Sequence, residues 1–225
     1  MTSSVLVTAA KPWRLITAAK LSAPVNVSGP VPAAPVRDPR FDGFLIVIGM
    51  AAVMWLSEIA DQIAGGGLDG WGIRPHDPDR LIGVLLAPFL HAGFSHLLSN
   101  TLPFLVLGFL VALNGAARVL AVTAIVMLVG GLGVWLFAPE TSIHIGASGV
   151  VFGYASYLVS RGIFNRSLLE LAIGALVLGI WGSALLSGFL PRDGISWQGH
   201  FFGAVGGVVA AFALRRERER EPVPA

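Results

Sequence analysis

No cysteine occurs in the 225 residues of this chain, which excludes disulfides, thiolate nucleophiles and cysteine-held metals. Charge is also scarce: Asp, Glu, Lys and Arg make up 12% of the residues, against 55% hydrophobic. A soluble domain carries about twice that share of charge, and a mean hydropathy of +0.76 removes the chain from that class. Nor is there a strong net charge. At +2, with a sequence pI of about 9.5, the basic residues gather in tails and short connections. That pattern belongs to membrane topology rather than to nucleic-acid binding. The composition reads as one all-α, polytopic membrane protein.

What is present is a series of apolar runs. Residues 1–40 hold Lys11, Arg14, Lys20, Arg37 and Arg40 among Ala, Pro, Ser and Val, without an apolar core long enough for a signal peptide. They read as a flexible cytoplasmic tail. A six-helix domain is expected over 41–214, and a charged cytoplasmic tail over 215–225. The first span runs from Phe41 to Ala64, its end blurred by Glu58 and Asp61, and Gly65-Gly66-Gly67 closes it. From Leu81 to Ala117 there is no charged residue, more than one span needs. A re-entrant or interfacial piece through Pro88 is therefore expected, followed by a second span over Phe94–Leu113. The remaining spans are expected over Val119–Ala138, Ser148–Ile163, Leu168–Ser187 and Trp197–Leu214.

Twelve of the fifteen Lys and Arg residues fall on one side of this arrangement, leaving Arg74, Arg80 and Arg192 opposite. The positive-inside rule then puts both termini in the cytoplasm, in agreement with six spans. At a rise of about 1.5 Å per residue, Ser148 stands roughly 20 Å above Arg161, His200 about 22 Å above Arg215 and Asn100 about 21 Å above Asn114. Three polar residues from three spans share one level, in the outer half of a core about 30 Å thick.

Ionisable residues are expensive in lipid and point to function, so His200 gives weight to Ser148, a residue that packing alone would otherwise explain. A serine hydroxyl is a weak nucleophile until a base takes its proton, and a neutral histidine suits that role. No Asp or Glu lies in the fourth or sixth span to orient the imidazole, so the pair is a dyad. Gly149 and Gly153 on the fourth span, with Gly199, Gly203 and Gly207 on the sixth, would let the two backbones approach closely. His96 and Asn100, at i and i+4, emerge from one helix face and can donate to an oxyanion together with the Ser148 amide. A zinc site is disfavoured: His91 and His96 stand about 140° apart around a helix, and the glutamate of the metalloprotease motif is missing. His144 reads as a polar loop residue. The chemistry asks for neither metal nor cofactor.

The stretches His91-Ala92-Gly93-Phe94-Ser95-His96-Leu97-Leu98-Ser99-Asn100, Gly146-Ala147-Ser148-Gly149 and Gly199-His200-Phe201-Phe202-Gly203, followed by Gly207, resemble the rhomboid family of intramembrane serine proteases. The resemblance covers residues 41–214 and implies a six-span rhomboid-like bundle, and a compact six-span architecture without an organelle-targeting segment is expected in a bacterial plasma membrane. It implies cleavage of single-span or polytopic membrane proteins within the bilayer, with Ser148 as nucleophile, His200 as base, and His96 and Asn100 at the oxyanion. Phe152 stands where the family has an aromatic packed on the histidine. The adjacent Trp-Arg pair of many members is absent, since Trp71 and Arg74 are separated. The loop before the second span and the segment Gly188–Ser196 are candidates for a movable cover. Two other readings are an inactive rhomboid-like protein that binds membrane clients and a small transporter. The first usually lacks the serine or histidine. The second would more naturally show paired intramembrane carboxylates or an inverted repeat.

Overall fold

A computed structural model describes residues 38–192 and 194–216. The expected tails thus lie outside the described residues over 1–37 and 217–225, as does Asp193 in the expected cover segment. The described residues form an all-α bundle: α1 (Pro39–Ala64), a short α2 (Gly83–Leu86), α3 (Phe94–Ala112), α4 (Ala116–Phe137), α5 (Ser148–Asn165), α6 (Leu168–Gly188) and α7 (Trp197–Ala213). Helices α1, α3, α4 and α6 are each long and apolar enough to cross a membrane. Helices α5 and α7, which carry Ser148 and His200, do not meet that measure: α7 is short, at 17 residues, and α5 is less apolar, for which its position accounts. Helix α5 packs on α3, α4, α6 and α7, and eleven of its eighteen residues are buried. A helix wrapped in protein need not be apolar enough to satisfy lipid.

Local signals set the ends. Helix α1 begins at Pro39 rather than Phe41, because the Asp38 side chain accepts the Arg40 amide at 2.9 Å and proline suits the first helical position. Glu58 and Asp61 lie inside α1 and are buried. Gln62 Nε2, one turn along the same helix, donates to Glu58, and the Leu68 amide of the returning chain donates to Asp61, each at 2.8 Å. Gly65, in the left-handed region at φ 83°, ends the helix. The segment expected to be re-entrant or interfacial consists of single turns at Leu68–Trp71 and Pro78–Arg80, then α2, then a turn at Ala87–Phe89. The Arg80 guanidinium lies 4.8 Å over the Trp71 ring, a pairing that the spacing to Arg74 concealed.

The two interior helices touch backbone to backbone. A Cβ on Gly203 would collide with the Gly149 carbonyl, and one on Gly207 with the Gly153 carbonyl and Ser156 Oγ. Ser156 Oγ also donates to the Ala204 carbonyl at 2.7 Å. Helix α4 closes the other side of α7, where a Cβ on Gly206 would stand 3.0 Å from Val126 Cα. Tyr154, fully buried between helices, shares a 2.5 Å hydrogen bond with Thr123 of α4.

The end of the bundle away from Ser148 is tied by charge. Arg161 Nη2 reaches Glu170 Oε1 at 2.5 Å and Asn114 Oδ1 at 3.0 Å, while Asn165 Nδ2 donates to Glu170 Oε2 at 2.7 Å. Arg118 Nη1 donates to the Leu214 carbonyl at 2.5 Å. Arg161 and Glu170 are buried, so each depends on the other. Glu170→Ala should destabilise the protein by about 3–5 kcal/mol, because it leaves a buried guanidinium unpaired. The paired change Arg161→Met with Glu170→Leu should recover most of that loss, as read from unfolding in detergent. A single variant as stable as the native chain would overturn the assignment.

Candidate active site

The residue that starts α5 is placed by the four before it. His144 pairs through its backbone with Ile73, the two amides donating at 2.9 and 3.0 Å. Gly146 donates to the Ala87 carbonyl at 2.8 Å. Its φ of +107° and the His96 ring against it both require a residue without Cβ. Ala147 donates its amide to His91 Nε2 at 3.3 Å. Ser148 follows as the first residue of α5. Ala147 supplies no side-chain cap, so the amides of this first turn are not taken by one.

His200 is held from two directions. Ser196 caps α7 by accepting the Gly199 amide at 3.0 Å, and His200 lies one turn further on. Its ring stacks on Phe152, with centroids 4.1 Å apart and planes 2° from parallel. Phe189 meets the same phenyl edge-on at 5.3 Å. His200 Nδ1 lies 2.7 Å from the Gly188 carbonyl. A carbonyl only accepts, so the ring proton sits on Nδ1 and Nε2 keeps its lone pair. Gly188 must be glycine, since a Cβ there would stand 3.0 Å from His200 Nδ1 and closer still to the Phe152 ring.

On α3, the Ala92 amide donates to His96 Nδ1 at 3.4 Å, which leaves Nε2 as the protonated nitrogen. Nε2 lies 2.8 Å from the point a Gly146 Cβ would occupy. Asn100 Nδ2 gives one hydrogen to the His96 carbonyl at 3.1 Å and has a second to offer. Ser148, His200, His96, Asn100 and Phe152 all line one cavity of about 630 Å³, large and polar enough to admit water. Ser148 also borders a cavity of about 50 Å³ on its other side, shared with Gly146, Gly149, Gly199 and Gly203. Gly153 and Gly207 lie deeper, on the contact between α5 and α7.

The sequence reading missed the Gly188 carbonyl, the His91 acceptor and the capping hydroxyl of Ser196. Of these only Ser196 had a signal, a serine directly before an apolar run. Among the described residues no group of three or more His, Asp and Glu is arranged to hold a metal ion.

Residues 78–217 match the family model of the Rhomboid domain. An uncharacterized protein of Mycobacterium tuberculosis is 45% identical over 181 residues, 76% of this chain and 75% of that one. YdcA of Bacillus subtilis, which bears a provisional rhomboid-protease name, is 30% identical over 202 residues, 82% of this chain and 98% of that one. The rhomboid protease GluP of the same organism is 34% identical over 132 residues, 58% of this chain and 25% of that one.

His91 lies in the segment leading into α3, and burial pushes its pKa from 6.5 down to about 4. The unfolded chain thus binds this proton near pH 6.5 and the folded one only near pH 4. The stability His91 contributes is complete above pH 6.5 and is lost as pH falls towards 4. Between pH 7.5 and 4.5, the thermal midpoint of His91→Gln should fall less steeply than that of the native chain. Equal slopes would show that His91 does not carry this dependence.

Proposed function

Because this chain belongs to the rhomboid family of intramembrane proteases, we propose that it is a serine endopeptidase that cuts membrane-spanning segments of other proteins with a Ser148–His200 dyad. The observation that carries this reading is the sharing of one cavity by Ser148 and His200, with His200 Nδ1 fixed on the Gly188 carbonyl so that Nε2 is the basic nitrogen. Ser148 Oγ attacks the scissile carbonyl as its proton passes to His200 Nε2. The oxyanion is received by the Ser148 amide at the N-terminus of α5, by His96 Nε2–H and by the second hydrogen of Asn100 Nδ2. His200 returns the proton to the leaving amine. It then takes one from a water that attacks the acyl ester, and gives it to Ser148 Oγ as the ester bond breaks, which restores the free serine and the neutral imidazole. The protein works as an integral component of a bacterial plasma membrane with both termini in the cytoplasm.

A substrate helix enters laterally between α3 and α6. Supporting this is the way α6 packs along α5, without comparably extensive packing on α3. A cross-link joining α3 to α6 should abolish cleavage of a membrane substrate, and unchanged turnover would exclude this route.

The central test is cleavage of a single-span substrate in proteoliposomes. Ser148→Ala and His200→Ala should each lower kcat by about 10⁴-fold or more, and Asn100→Ala by about 10²- to 10³-fold. Native protein should label with a fluorophosphonate, and Ser148→Ala should not. Cutting at native rates by both dyad variants would overturn the assignment. A native chain that neither cuts nor labels would favour client binding.

A further inference from the structure

Four residues before Ser148 stands His144, and four residues before His200 stands Ser196. The two side chains meet, with His144 Nδ1 2.6 Å from Ser196 Oγ. The direction of this bond follows from the other partners. Ser196 Oγ accepts the Gly199 amide as the cap of α7, and its own hydrogen is free to point at His144. Nδ1 then accepts, and the ring proton sits on Nε2. That proton is given to Ser142 Oγ at 2.8 Å, whose hydroxyl passes on to the Pro139 carbonyl at 2.5 Å. Every donor in this chain finds an acceptor, and the ring is buried and locked in one tautomer. Burial also lowers the His144 pKa, which keeps the ring neutral.

The position of this bond gives it a use beyond stability. Below it, the glycine contact of Gly149 with Gly203 fixes how closely α5 and α7 approach. That contact sets how close the helices come, and the hydrogen bond that ties their seam, from Ser156 Oγ to the Ala204 carbonyl, lies about two turns along α5 from the helix start. We propose that the His144–Ser196 hydrogen bond is a positioning brace that sets the first turn of α7 against that of α5, and with it the separation of His200 Nε2 from Ser148 Oγ. The proposal rests on the protease reading above and adds His144 and Ser196 as positioning residues. A shift of about 1 Å between reacting groups costs on the order of 10²-fold in rate.

The test compares His144→Ala, His144→Asn and Ser196→Gly in proteoliposomes. Asn offers an oxygen where His144 offers Nδ1, and glycine replaces serine at a helix cap at little cost, so Ser196→Gly removes the brace and spares the helix. His144→Ala and Ser196→Gly should each lower kcat and the rate of fluorophosphonate labelling about tenfold or more, with KM within twofold. His144→Asn should recover most of the rate lost in His144→Ala. Combining His144→Ala with Ser196→Gly should add less than twofold to either loss. Native rates in both single variants, or losses that multiply in the double one, would overturn the proposal. Should His144→Ala fail to fold, Ser196→Gly carries the test.

A second readout separates this proposal from the protease reading. In the native chain the His144 ring ¹⁵N resonances should report a protonated Nε2 and a hydrogen-bonded Nδ1, and Ser196→Gly should shift the Nδ1 resonance. An unmoved resonance overturns the brace whatever the activity. A moved resonance in a native chain that does not label upholds the bond and overturns the protease reading alone.

Discussion

The arrangement depends on one contact, the backbone approach of α5 and α7 at Gly149 and Gly203 and again at Gly153 and Gly207. Between helices in lipid there is no hydrophobic drive, so association rests on van der Waals fit and internal hydrogen bonds. Both are used here. Carbonyl oxygens of α5 occupy the space that side chains on α7 would fill, and Ser156 adds a hydrogen bond across the seam to the Ala204 carbonyl. Because Ser148 is the first residue of α5 and His200 lies in the first turn of α7, the seam brings both to one cavity. A larger residue at Gly203 would push the two helix starts apart before it disturbed anything else.

A buried polar site in a membrane protein must also satisfy its own hydrogen bonds, and this one does so with backbone groups. The Gly188 carbonyl at the end of α6 holds His200, the Ala92 amide orients His96, and His91 takes the Ala147 amide. A carboxylate at the position of the Gly188 carbonyl would orient the ring equally well, but it would bring a full charge into a site walled by Phe152 and Phe189. That charge would need a counterion of its own. A helix-terminal carbonyl supplies the acceptor, together with the negative end of the α6 dipole, without that cost. Buried carboxyl and guanidinium side chains lie instead at the two ends of the bundle. At one end Glu58 is met by Gln62 of its own helix and Asp61 by the Leu68 amide of the returning chain, and at the other Arg161 is met by Glu170.

How far this was legible from sequence follows the same division. Apolar runs and breakers are one-dimensional signals, and the six long helices fall within about three residues of the bounds that these signals set. The largest shift, at the start of α4, arises because Gly115 lets the helix begin three residues before Val119, with Arg118 already turned back to the Leu214 carbonyl. Side chains singled out from the sequence are also brought together: Ser148, His200, His96, Asn100 and Phe152 line one cavity. What escaped were the main-chain carbonyl acceptors, because a carbonyl leaves no mark on residue identity. Gly188 read as the first residue of a candidate cover segment, and only the fold shows its oxygen turned to the imidazole.

Pairs between distant loops escaped for a second reason. Trp71 meets Arg80 because the turns between them fold back, and His144 meets Ser196 across 52 residues because α5 and α6 run away and return. Spacing along the chain carries no trace of such returns. A lone histidine in a loop such as His144 has many bland explanations. A lone histidine whose two ring nitrogens each meet a hydroxyl, on a chain joining two helix starts, has few.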